Sequence, residues 1–118
     1  MERELEFVWE FKGQIIHLYE HEIYYVHLQE RNTFVHTRSR SYAIGHKINE
    51  EEEFLKGIPI VRIHYSYLVH MVHMEALGQS EVILRNGVHL PVSENRSKEV
   101  REMVRAYFYN VRKCKNRG

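Results

Sequence analysis

The chain has 118 residues, 43% hydrophobic and 28% charged, a balance that fits one folded domain with a buried core and excludes a disordered tract. Its formal net charge of +1 is low for a nucleic-acid-binding module, but the charge is unevenly spread: residues 1–30 hold seven Glu against Arg3 and Lys12, and residues 94–118 hold eight Lys or Arg against Glu94, Glu99 and Glu102. No apolar run reaches the ~20 residues of a membrane helix and no signal-peptide pattern opens the chain, while Cys114 alone excludes an internal disulfide and a Cys-x-x-Cys metal site; a cytoplasmic protein with no membrane contact is expected.

Leu5, Phe7, Trp9 and Phe11 alternate with Glu4, Glu6, Glu10 and Lys12, the period of a half-buried strand, and Gly13 separates them from a second run at Gln14–Leu18. Glu22–Leu28 is aromatic and β-branched, hence strand. The polar stretch Gln29–Asn32 turns the chain into a returning strand at Thr33–Thr37. A second polar patch, Arg38-Ser39-Arg40-Ser41, leads to Tyr42–Ile44. Asn49 followed by four Glu predicts the start of a short helix, with Asn49 as cap and Gly57 closing it in the left-handed conformation.

Pro59–His70 reads as strand, polar elbow and strand. Glu81–Arg85, Asn86-Gly87 and Val88–Val92 read as a hairpin with a two-residue turn, and Pro91 implies that its second strand lies at an edge or ends there. A final helix is expected from about Ser97, its cap, to Arg112. Val100, Met103, Val104, Tyr107, Phe108 and Val111 form one apolar stripe along it. The reading is a mainly β domain with one short helix and one terminal amphipathic helix.

Nine histidines raise the question of a metal. Zinc needs three or four converging ligands, whereas His64 and His70 on one strand would stand about 20 Å apart, and no His-Glu-x-x-His is present. Ser66 lies near His64, but no elbow glycine or acid motif completes a triad, and no glycine-rich phosphate loop occurs. No enzyme activity, metal or cofactor is expected. The remaining polar clusters sit in elbows between strands: Glu30-Arg31-Asn32, His64-Tyr65-Ser66 and Ser93-Glu94-Asn95-Arg96. Their side chains suit phosphate and base-edge contacts, and equally suit ordinary turns.

Two segments carry a family resemblance. Ile60–His70 contains Arg62-x-His64-x-Ser66-x-x-Val69, and Leu84–Glu94 contains Asn86-Gly87-x-x-Leu90-Pro91-Val92-Ser93. In this order and spacing the chain resembles the LytTR-type DNA-binding domains of transcriptional regulators. The likeness runs from about Ile15 to Phe108, with a basic tail at 109–118. Such a likeness implies an elongated arrangement of small β-sheets whose loops enter the major groove, as two domains on paired direct repeats of double-stranded DNA, with a homodimer possible there. It points to Arg31 and Asn32 in one elbow, His64, Tyr65 and Ser66 in the second, and Ser93 and Glu94 in the third, with Asn95, Arg96 and Lys98 nearby. The sequence departs from the family pattern at Tyr65 and Glu94, where Arg is usual (Asn also at the first), and at His70, where Asn is usual. With no receiver domain ahead of it, the chain is expected to be a stand-alone bacterial regulator or the excised output domain of a response regulator. The alternative is a protein-interaction module that kept the fold and lost or weakened DNA binding.

Overall fold

In the computed structural model, residues 3–45 and 47–112 are described. Cys114 and most of the expected basic tail lie outside them. Among the described residues, ten strands form three antiparallel sheets. Strands β1 (Glu6–Phe11) and β2 (Gln14–Tyr19) form a separate hairpin, joined at Lys12 and Gly13, both at positive φ, as a two-residue turn between right-twisted strands requires. The alternation read from the sequence is obeyed at Phe7 and Trp9, whereas Leu5 precedes the strand and is exposed and Phe11 is half-buried. Phe7, Trp9, Ile16 and Leu18 face inward, and Val8, Ile15 and Tyr19 face out.

The central sheet has the order β5-β4-β3-β7-β6, made from β3 (Tyr25–Gln29), β4 (Asn32–His36), β5 (Ser41–Ala43), β6 (Ile60–His64) and β7 (Tyr67–His70). One face carries Val26, Val35 and Leu68 into a core shared with the first hairpin and helix α1 (Ile48–Phe54), which contributes Ile48 and is followed by buried Leu55. The opposite face carries Tyr25, Val61, Ile63 and Val69 into a second core. There the third sheet adds Val82, Leu84 and Leu90, and helix α2 (Ser97–Tyr107) adds Val100. That sheet, ordered β10-β9-β8, comprises β8 (Met74–Leu77), β9 (Glu81–Leu84) and β10 (His89–Pro91). Burying an aliphatic or aromatic side chain stabilises by roughly 1.5–3 kcal/mol, so two such cores clamp the central sheet from both sides.

Several local expectations are corrected. Asn49 does not cap α1. Lys47 holds the cap position, its amide donating to the Glu50 carboxylate at 3.2 Å, and Asn49 turns its side chain to Arg62 instead. Gly57 has no positive φ, and the helix ends at Phe54 with Leu55 as its C-cap. The Asn86-Gly87 connection is a three-residue loop. The Leu84 amide donates to the Val88 carbonyl (2.8 Å), the Gly87 amide to the Leu84 carbonyl (2.9 Å), and only Gly87 takes positive φ (88°). Pro91 does lie on an edge strand. Strand β8 was not legible in the sequence. Ser97 does not cap α2; its hydroxyl donates to the Gln79 carbonyl (3.3 Å). The helix stops at Tyr107, and of its apolar stripe only Val100 is fully buried, with Val104 packed beside it.

Candidate nucleic-acid interface

The three polar elbows converge on one end of the central sheet. In the first, Glu30 (φ 58°) and Arg31 make a tight turn closed by the Gln29–Asn32 pair, so Asn32 opens strand β4 rather than lying in a loop. In the second, Tyr65 and Ser66 connect β6 to β7. Its position follows from the β3–β7 ladder, in which His27 opposes Tyr67 and the Leu28 amide donates to the Ser66 carbonyl at 2.9 Å. The third begins at Ser93, whose amide donates to the Ile63 carbonyl at 2.9 Å. It continues through the 3-10 turn Glu94–Arg96 into α2. Two backbone hydrogen bonds therefore bring together segments more than 60 residues apart in sequence.

Arg62 organises the second elbow. Its side chain is 8% exposed, and its guanidinium donates through Nε to the His64 carbonyl (2.8 Å) and through Nη2 to the Tyr65 carbonyl. Nη1 donates to Glu52 (2.9 Å) and Asn49 (3.0 Å) on α1. A planar cation with five donors satisfies two turn carbonyls, a carboxylate and an amide oxygen at once, four acceptors where a lysine ammonium has three donors. The elbow is thus tied to helix α1 before any ligand arrives.

His64 closes the same turn from within. Its Nδ1 accepts from the Ser66 amide (3.0 Å), which in the neutral ring places the proton on Nε2. The ring stands edge-on to Tyr67, which stacks on His27 at 4.3 Å. Burial, and secondarily the nearby His64, holds His27 below the ordinary histidine range. His36, stacked on Tyr25 at 4.1 Å, is pushed down to about 4 by burial and then by His27. His27 and His36 are therefore uncharged at neutral pH. Positive charge at this end comes from arginine and lysine.

Arg31, Asn32, Tyr65, Glu94, Asn95 and Lys98 are exposed, and His64, Ser66, Ser93 and Arg96 are half-buried. Arg31 and Tyr65 line one cleft of about 200 Å³ together with Lys47 and Asn49. Asn95, Arg96 and Lys98 follow Ser93 along the start of α2. Arg62, Lys47 and Asn49 were missed as site residues. Arg62 lies inside the motif that carried the resemblance, but its role depends on α1 crossing beside β6, which no local pattern encodes.

The model of the LytTr DNA-binding domain matches residues 13–105, and the chain belongs to this family of DNA-binding domains. Among curated proteins it is similar to the transcriptional regulatory protein BtsR of Escherichia coli K12 and of Salmonella typhimurium. Each is 39% identical over 51 residues, covering 39% of this chain and 21% of the relative. The matched stretch thus spans about a fifth of those relatives' length. Among solved structures it is similar to the LytTr DNA-binding domain of a Bacillus cereus protein described as a methyl-accepting/DNA response regulator, with a TM-score of 0.72 at 18% identity over 87% of this chain and 98% of that one. At that identity the likeness shows the fold, and the mainly β architecture read from the sequence agrees with it.

Proposed function

We propose that this chain is a sequence-specific DNA-binding transcriptional regulator, acting in the cytoplasm as a stand-alone protein or as an output domain, that reads the major groove through its three elbows. The convergence of the Arg31, His64–Ser66 and Ser93–Lys98 segments on one end of the central sheet carries this reading. Arg31, Arg96 and Lys98 meet phosphates, joined by Lys47 across the cleft it shares with Arg31. Asn32, Tyr65, Ser66 and the Nε2–H of His64 supply neutral donors and acceptors for base edges or phosphates, Ser93 positions the third segment, and Glu94 with Asn95 accepts from or bonds to exposed amino groups. In this reading two copies of the domain, as a homodimer on the DNA, occupy paired direct repeats. No catalytic step belongs to it.

Fluorescence anisotropy against a random duplex library tests the proposal. Sequence-selective binding that weakens steeply with salt is expected, and Arg31→Gln should lower the slope of log K against log salt by about 1. Absence of binding at low salt would sink it. A second reading, a protein-interaction module with lost or weakened DNA binding, is favoured by the exposed carboxylate of Glu94 and the net charge of +1. It predicts that same silence towards DNA.

A further inference from the structure

At the opposite end of the central sheet lies a cavity of about 470 Å³. It is within the size range of small-molecule sites. Its walls include Leu18, Tyr24 and Tyr42, and its rim is the Arg38-Ser39-Arg40 segment between β4 and β5. The rim is rigidly held through its backbone. The Thr37 amide donates to the Arg40 carbonyl (2.8 Å), the Arg40 amide to the Thr37 hydroxyl (3.1 Å), and the Asn86 side-chain amide to the Arg38 carbonyl (2.8 Å). Asn86 thereby ties the rim to the third sheet. Yet the guanidinium groups of Arg38 and Arg40 and the Ser39 hydroxyl form no hydrogen bond or ion pair among the described residues.

Three other polar residues of the cavity, Glu22, His21 and His73, are engaged elsewhere. Glu22 accepts from the Tyr19 amide (2.9 Å), and His21 pairs with Glu4. His73 bonds the His21 carbonyl (2.6 Å) and stacks on Tyr24 at 3.8 Å, forming a flat aromatic wall. What remains is two uncommitted cations and a hydroxyl over an apolar, aromatic floor. Five-residue strands separate this end from the elbows, about 15 Å by the strand rise, so the cavity is distinct from the candidate DNA surface.

We propose that this cavity binds a small organic anion, a phosphate or carboxylate carrying an aromatic or apolar body, with Arg38 and Arg40 holding the charged oxygens and Tyr24, Tyr42 and Leu18 covering the body. Planar guanidinium pairs suit such oxyanions, and the floor discriminates against bare inorganic ions.

The test is a titration of the full chain with phenyl phosphate, followed by amide nitrogen–proton correlation spectra and calorimetry. Saturable shifts at the amides of Arg38–Ser41 and His73 are expected. Inorganic phosphate and phenol, taken separately, should bind at least about tenfold more weakly. Arg38→Gln/Arg40→Gln should lose phenyl phosphate binding by on the order of tenfold or more while keeping a dispersed spectrum, and Arg31→Gln should leave that binding unchanged. The proposal is overturned if inorganic phosphate binds as well as phenyl phosphate, or if the double variant binds like the parent. It fails too if phenyl phosphate shifts nothing; weakened duplex binding and a lower salt slope in the double variant would then mark the arginines as DNA-phosphate contacts.

Discussion

The Nε of Arg62 donates to the backbone carbonyl of His64 at 2.8 Å, so a strand side chain holds the shape of the elbow that its own strand enters. The same guanidinium reaches Glu52 on α1. This makes the second elbow a preorganised element, and Arg62→Lys separates charge from geometry. The substitution keeps the cation, but three ammonium donors cannot bond all four acceptors that the guanidinium holds. It should cost about 1–3 kcal/mol of stability and weaken DNA binding by on the order of tenfold. Urea denaturation and anisotropy check this. Unchanged values for both would remove the clamp from the account.

A second prediction concerns Trp9 and Glu51, 3% and 2% exposed. The indole N–H donates to Glu51 Oε1 at 2.7 Å, joining the first hairpin to α1. Glu51→Leu leaves that donor buried without this acceptor and should destabilise by about 1–3 kcal/mol. Glu51→Gln keeps an oxygen acceptor and should cost less. Trp9 is the sole tryptophan, so its emission reports the transition directly. Equal losses for the two variants would show that the bond contributes little.

Stability should also fall in acid through His70. The ring is 1% exposed, its Nδ1 accepts from the Val72 amide (3.3 Å) and its Nε2 meets Glu20 Oε2 (3.1 Å), an arrangement for the neutral form. Burial lowers His70 from 6.5 to about 4. Between those values the unfolded chain binds a proton that the folded chain refuses. The stabilisation is therefore present above pH 6.5 and is lost as the pH falls through about 4, on the order of 2 kcal/mol for one such group. His36 acts in the same sense. Glu20, raised by burial and then by Glu4, acts in the opposite sense, so its contribution fades as the pH rises. Denaturation midpoints at several pH values should show a flatter acid slope for His70→Gln than for the parent. Parallel slopes would assign the acid loss to other groups.

Glu94 is exposed at the opening of the third elbow. As a base reader it accepts from an amino group such as that of cytosine, and Glu94→Arg should change the preferred sequence. A uniform gain in affinity for every duplex, with a salt slope steeper by about 1, would instead mark it as a group that only repels phosphate. Selection from a duplex library before and after the substitution distinguishes these outcomes. Identical affinity and preference would place Glu94 outside the interface.

Much of this molecule was determined locally by its sequence. The alternation at Phe7 and Trp9, the aromatic and β-branched run at Glu22–Leu28, most of which is strand β3, and the Arg62-x-His64-x-Ser66 motif identify strands and family, because side-chain period and turn chemistry act over a few residues. Tertiary structure decided the rest. Asn49 gave up its expected capping role for Arg62, Ser97 gave up its own for Gln79, and the ends of α2 and the whole of β8 followed from what packs beside them. Above all, Leu28 meeting Ser66 and Ser93 meeting Ile63 turn three separate polar elbows into one surface. Such pairings depend on sheet order and register across dozens of residues, where the free energy of packing two cores outweighs any local preference.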